Sequence, residues 1–328
     1  MQLHPHSALL SRGGGGAKVA PQFKHYPTMK SPKLLTLAAT AALITSASAT
    51  VTIDWVTVGN AGNAADPNSY GDTSYGAVSY AYQIGKYEVT NAQYGAFLNA
   101  AAQTNSYGLY NSRMSSYGIT QSGSSGTYSY TVTTALANRP VVFVSWFDAA
   151  RMANWMMNGQ GNGSTETGAY TLNGATSGIF LANAGAQVYI PTEDEWYKAA
   201  YYNAANQTYS LYPNGQNSIT PTDANYTSDF SMDVGTFSGD DASMYGTFDQ
   251  GGNVYEWNDA VIGGSTRGLR GGSWANLDSL YLASSYRGGE GPSTESLLLG
   301  FRLASVPEPS SLVLTMLASG VMLIRRKR

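Results

Sequence analysis

The chain has 328 residues, with 21 Asp and Glu against 18 Lys and Arg, 3 His and no Cys. Half of the basic residues sit near the ends, so residues 50–306 hold nine basic against twenty acidic side chains, a formal charge of −11 that repels nucleic acid and anionic lipid. His4, His6 and His25 all precede Met29, which leaves the rest without imidazole or thiol and excludes a Ser-His-Asp triad, a Cys nucleophile, His-ligated zinc and thiolate-bound copper.

In chain order, residues 1–28, with their Gly13–Gly16 run, read as an over-extended start, and Met29 is the expected initiator. From Met29 come Lys30 and Lys33, an apolar run from Leu34 to Thr45, and Ala47-Ser48-Ala49. A basic start, a short apolar segment and a small-residue cleavage site together predict a secretory signal peptide. The run is shorter than the roughly 20 residues a bilayer span needs. A buried N-terminal helix is the alternative.

Residues 50–81 open the exported domain with a strand over Val51–Val58 and a loop rich in Gly and Asn; a second strand is expected over Ala81–Val89. Thr90 caps a first helix whose Tyr94, Phe97 and Leu98 share one side. Val141–Val144 reads as a strand, and Ser145, with Asp148 three residues on, opens a second helix running to about Met157. After a strand at Val188–Ile190, Thr192 and Glu195 form a capping box, with three acids in the first turn where the helix dipole favours them. Long Gly/Ser/Asn segments (103–138, 158–185 and 203–250) separate these elements, and Gly159–Gly163 follows a helix, so it is a loop and not a phosphate cradle. So little regular structure in so many residues predicts an irregular, loop-rich α+β single domain. The divisions are 1–49 leader, 50–81 N-terminal part of the domain, 82–304 its body and 305–328 tail.

The tail reads Val306-Pro307-Glu308-Pro309, an apolar stretch from Leu312 to Ile324, then Arg325-Arg326-Lys327-Arg328. An apolar segment closed by a basic cluster stops in a membrane with its positive end in the cytoplasm. The three-part pattern resembles a PEP-CTERM sorting signal. The resemblance implies an exosortase-type processing enzyme as partner, transient membrane insertion, removal of the tail near Pro307, Glu308 and Pro309, and a final place on the surface or in the extracellular matrix of a Gram-negative bacterium. A plain C-terminal anchor is the alternative.

Six motifs follow in one order: Ile84-Gly-Lys-Tyr-Glu-Val-Thr-Asn-Ala-Gln-Tyr94, Arg139-Pro-Val-Val-Phe-Val-Ser-Trp146, Ile190-Pro-Thr-Glu-Asp-Glu-Trp196, Gly252-Asn-Val-Tyr-Glu-Trp257, Arg270-Gly-Gly-Ser-Trp274 and Gly300-Phe-Arg-Leu303. Together they resemble the sulfatase-modifying factor (formylglycine-generating enzyme) family. The resemblance implies that family's compact, loop-rich fold, related to C-type lectin-like domains. Its catalytic members bind copper through two Cys placed shortly after the Gly-Gly-Ser-aromatic motif, and those positions correspond here to Asn276 and Tyr281. Neither an amide nor a phenol replaces a thiolate, so no copper and no such oxidation are expected. Relatives that are iron-dependent sulfoxide synthases take His ligands from another domain, which is missing too.

The same resemblance implies calcium. One site maps onto Asp249, Gly252, Val254 and Glu256, a mixture of carboxylate and carbonyl oxygen that calcium accepts; a second, looser one maps onto Asn225, Tyr226 and Asp229. The alternative makes Asp249 a solvated loop carboxylate and Glu256 a helix-like surface acid. Trp146, Trp196, Trp257 and Trp274 are expected in the core, and Arg270, Arg287 and Arg302 in loop-fixing ion pairs. Three function classes stand. The first is a noncatalytic module binding an extracellular polysaccharide or surface protein through Tyr/Ser/Asn/Gly loops. The second is a formylglycine-generating oxidase, contradicted by the missing Cys. The third is a carboxylate-only hydrolase drawing on Glu193 to Glu195, Asp240, Asp241, Glu290 or Glu295.

Overall fold

Three hydroxyl residues, each followed three positions later by Gln, Asp or Glu, start the three α-helices: Thr90 before α1 (Asn91–Ala101), Ser145 before α2 (Trp146–Met157) and Thr192 before α3 (Glu193–Tyr201). In each, the hydroxyl accepts the N–H three residues on while that residue's side chain accepts the cap's own N–H, satisfying two otherwise orphan donors. All three starts fall where the sequence pattern predicts. This computed structural model describes residues 50–69, 73–237 and 241–306, with Ala20 and Gln22. The expected leader helix and the sorting tail, with Pro307, Glu308 and Pro309, lie outside the described residues, as does Asp240.

The strands are short: β1 (Trp55–Val58), β2 (Tyr82–Gly85), β3 (Ile119–Ser122), β4 (Ser129–Val132), β5 (Val188–Tyr189), β6 (Tyr202–Asn203) and β7 (Thr208–Tyr209). They continue with β8 (Tyr255–Ile262), β9 (Thr266–Arg270), β10 (Gly288–Glu290), β11 (Leu299–Gly300) and β12 (Ala304–Ser305). One sheet has the order β1-β2-β12-β5, with β12 antiparallel to both neighbours; the other has the order β10-β9-β8-β11, with β11 parallel to β8. The pairs β3–β4 and β6–β7 are separate hairpins inside segments expected as pure loop. Three helices with two mixed sheets make the domain α+β.

Two strand expectations shrink and one fails. Only Trp55–Val58 of Val51–Val58 pairs, because the Gln160 side chain takes both backbone groups of Val51 in place of a ladder partner. Only Tyr82–Gly85 of Ala81–Val89 is a strand. Val141–Val144 is no strand: it is a buried connector in which Phe143 has φ 59° and gives its N–H to the Ser296 carbonyl. A continuous apolar run marks burial on all sides and does not by itself specify extended backbone. The long β8–β9 hairpin escapes the pattern because both its faces are buried, with Glu256, Asn258, Arg267 and Arg270 interleaved with Trp257 and Leu269.

The main core joins α1, α2 and the first sheet around Trp146, Trp155, Phe97 and Phe301. In α2 every residue from Trp146 to Trp155 is buried, Arg151 and Asn154 included. Asn154 compensates by bonding the Tyr170 backbone twice, N–H to Oδ1 at 2.7 Å and Nδ2 to the carbonyl at 2.9 Å, as a buried amide requires. A second aromatic cluster packs Trp196, Tyr197 and Tyr201 of α3 against Tyr75.

Candidate functional site

The two expected cation sites meet along one seam. Asn225 and Gly252 form a parallel bridge, the Asn253 N–H donates to the Asn225 carbonyl at 2.8 Å, and the Gly252 N–H donates to the Gly271 carbonyl at 2.8 Å. A Cβ on Gly252 would run into the Asn225 carbonyl, and its φ of +84° is one that only Gly adopts freely. Around it, Thr227, Asp249 and Asn253 hold φ values of 55°, 60° and 56°. Non-Gly residues in that region cost about 1–3 kcal/mol each and gather at binding and catalytic sites.

Asn253 is the hub. Its Oδ1 accepts from the Met232 N–H at 2.9 Å and from Asn225 Nδ2 at 3.1 Å, while its Nδ2 donates to Glu88 Oε1 at 3.2 Å. Glu88 is buried, and its Oε2 and the Oδ1 of Asn225 are sealed from water with no hydrogen-bond partner. Burial, then the nearby charges of Asp249 and Glu256, push the Glu88 carboxyl well above its usual range. Burial also raises the neighbouring Asp249 carboxyl, against the pull of the Gly235 N–H that donates to it at 2.6 Å. No spacing rule connected Glu88 to this seam. The available signal was a lone acid within the segment 81–89 expected as a strand, since a carboxylate is buried there only with a purpose.

Glu256 belongs to a different arrangement. It lies on β8, fully buried, so the helix-like surface reading is corrected. Its Oε2 accepts from Arg302 Nε at 2.6 Å and Trp196 Nε1 at 2.7 Å, and its Oε1 accepts from Arg302 Nη2 at 2.6 Å. Arg302, also fully buried, spends its remaining donors on the carbonyls of Gly85, Lys86 and Phe248. Val254 is sealed, and a Cβ on Gly300 would lie 2.7 Å from it.

Three carboxyls (Glu88, Asp249, Glu256) thus face one guanidinium, and two buried oxygens lack donors. Among the described residues no three acidic or imidazole side chains converge on one point. The donor chemistry fits a hard cation resting on Glu88 and Asp249 with carbonyl oxygens, and another on the Asn225 amide oxygen; Glu256, engaged by Arg302, fits less well. Tyr226 is buried, its hydroxyl donating to the Ile219 carbonyl at 3.1 Å, whereas Asp229 is exposed and lines one shallow surface depression with Asn225 and Tyr226.

The positions matched to the copper-binding Cys come together. A Cβ on Gly272 would lie 3.1 Å from the Tyr281 carbonyl oxygen and 3.2 Å from Asn276 Oδ1. Asn276 Oδ1 accepts the Ser273 N–H at 2.6 Å, and the Asn276 carbonyl accepts the Thr227 N–H at 2.8 Å. Tyr281 meets Tyr286 edge-on at 4.9 Å, and Tyr286 lies 6.4 Å from Tyr255. Asn276 is thus an amide locked into a turn and Tyr281 a phenol in a tyrosine cluster.

Four of the remaining acids weighed for catalysis have structural tasks. Glu193 takes both Arg270 and Arg287, Asp194 accepts the Gly76 N–H at 2.8 Å, Glu195 closes the α3 cap and accepts from Tyr189, and Glu295 accepts from Asn111. The three expected Arg ion pairs are present. Of the four motif tryptophans, Trp146, Trp196 and Trp257 are in the core; Trp274 is only half-buried and lines a cavity, because its turn faces the 228–231 loop and not a helix.

Residues 49–306 match the sulfatase-modifying factor enzyme 1-like domain, and the chain belongs to that family. It is 27% identical over 254 residues to a hercynine oxygenase of Mycobacterium tuberculosis, an alignment covering 68% of this chain and 52% of that protein. It is 29% identical over 188 residues to the serine/threonine-protein kinase pkn1 of Chlamydia caviae, covering 51% of this chain and 24% of the kinase. The chain therefore spans about half the length of the first relative and about a quarter of the second. Among solved structures, variable protein 1 of Treponema denticola superposes with a TM-score of 0.56 at 24% identity, covering 79% of this chain and 97% of that one. CarF superposes with a TM-score of 0.55 at 22% identity, covering 79% and 100%. At those identities the likeness speaks to the fold. Enzymes exist among the relatives, as the hercynine oxygenase states by its name.

Proposed function

We propose that this protein is an exported, noncatalytic binding module of the sulfatase-modifying factor family, presented at the bacterial surface or in its matrix, with loops stabilised by calcium. The observation that carries the reading is that Asn276 and Tyr281, which both flank Gly272, occupy the positions the family resemblance assigns to the oxidases' two thiols, in a chain with no Cys. An amide oxygen and a phenol offer neither a soft ligand nor a redox-exchanging sulfur. Export rests on the leader and tail patterns, and the tail's Pro307, Glu308 and Pro309 are the proposed processing point for an exosortase-type enzyme.

Calcium supports the reading in a supporting role. Glu88 and Asp249 would hold one ion and the Asn225 amide oxygen, with the Tyr226 carbonyl and Asp229, a second. Bound there, calcium supplies positive charge that offsets the buried carboxylates; the protein residues order the 225–237 and 247–254 loops around it. The test is a melting curve of the full-length protein with millimolar calcium and with chelator. Chelation is expected to lower the midpoint, and Asp249→Ala to lower it in calcium and to shrink the chelator's effect to that of the second site; identical curves in all four conditions end the calcium reading. Formation of formylglycine on a sulfatase-derived Cys peptide ends the noncatalytic reading.

A further inference from the structure

A separate cavity of about 330 Å³ opens between the loops that precede α2 and those that follow β9, lined by Ser116, Tyr117, Arg139, Phe230, Ser231 and Trp274 among others. Its volume is at the lower end of the roughly 300–1,000 Å³ found for small-molecule sites. It therefore suits one unit of a polymer and not a folded partner. Phe230 is 51% exposed and Tyr117 37% exposed, so two aromatic rings beside Trp274 reach solvent although nothing in the protein covers them.

Arg139 is the polar anchor. The described ion pairs use Arg151, Arg267, Arg270, Arg287 and Arg302; none uses Arg139. Its Nε is sealed from water and lacks a hydrogen-bond partner, and its guanidinium lies 5.0 Å over the Phe230 ring. The sealed Nε is out of a ligand's reach, but Arg139 as a whole is only half-buried, lines the cavity and enters no described ion pair, so its charge points to an anionic group supplied from outside. Stacked on an aromatic ring, a guanidinium is pre-organised for the fork-to-fork bonding a carboxylate accepts. The wall is braced: Tyr117 packs at 5.3 Å against Phe143, the residue held at φ 59°. A bulky side chain in that conformation is a genuine outlier.

We propose that this cavity binds a uronate, the carboxylate-bearing sugar unit of an acidic polysaccharide, with Arg139 taking the carboxylate and Tyr117, Phe230 and Trp274 packing on the faces of the sugar ring. Aromatic side chains with a polar rim of Ser116 and Ser231 match a ring that is apolar on its faces and hydroxylated at its edge. An acidic peptide fits less well. None of the lining residues named above lies on a strand, so no sheet edge is available for an added peptide strand. The proposal rests on the binding-module reading and names the ligand for it.

The test titrates the full-length protein with a galacturonate trisaccharide and with a galactose trisaccharide, following Trp fluorescence and heat. The acidic trimer is expected to bind at least about tenfold more tightly, that being the size of one charge-assisted hydrogen-bond set. Arg139→Gln should remove the preference and Phe230→Ala should weaken binding of both trimers, with melting midpoints unchanged. Equal affinity of wild type and Arg139→Gln for the acidic trimer overturns the proposal, as does failure of both trimers to bind. Arg139-dependent binding of an acidic peptide without sugar binding also overturns it. These results leave the noncatalytic reading standing, which formylglycine formation alone would overturn.

Discussion

A single hydrogen atom at residue 252 allows the two loops of the seam to touch. Gly252→Ala places a methyl group against the Asn225 carbonyl at positive φ, and we expect it to cost at least about 2 kcal/mol in denaturant unfolding. Gly59→Ala, with open space and ordinary φ, should change stability by under about 0.5 kcal/mol. At the buried pair, Glu256→Gln removes the carboxylate that Arg302 bonds through both Nε and Nη2. That change is expected to cost about 3–5 kcal/mol, by the same amount with and without chelator, because the partner is a guanidinium and not a metal ion. Asp249, Gly252, Val254 and Glu256 were singled out through a local motif of the family resemblance and not by a spacing rule. Glu88 and Arg302 were not connected to them, since the hydrogen bonds that unite the group span 165 and 46 positions and leave no short-range pattern.

Helix starts were the most legible elements, for the same reason of range: each capping box is complete within four residues. The strands were the least legible. A strand two residues long, such as β11 or β12, is defined by its partners and not by its own alternation, and β8 escapes notice because it buries charged residues that ion pairs neutralise. The α2 start also predicts a pH response. Burial raises the Asp148 carboxyl from 3.8 to about 7, outweighing the two hydrogen bonds from Ser145. The folded protein thus keeps a proton that the unfolded chain releases near pH 4. Its stabilising contribution is complete below that value and is lost as pH rises from about 4 to 7. Stability measured by urea unfolding should fall across that window with a contribution of at most about 1.4 kcal/mol per pH unit, and Asp148→Asn should flatten the slope.

Across the whole molecule, the class of fold was legible from the scarcity of regular structure, but the sheet order was not, because it joins residues 55–58, 82–85, 188–189 and 304–305 across most of the domain. The same scale carries the charge. With −11 over residues 50–306, the folded state repels itself, and raising salt from about 0.01 M to 0.15 M shortens the screening length from roughly 30 Å to 8 Å. The melting midpoint should therefore rise with monovalent salt; a fall would mean that the five ion pairs dominate. The placement of β12 between β2 and β5 bears on how the protein is made. A ribosome delivers the middle of this sheet after every other described strand, so the nascent domain stays open along its centre until β12 has emerged. Strand edges left waiting that long are prone to wrong partners, and a holding chaperone during folding is the natural counterpart of that geometry.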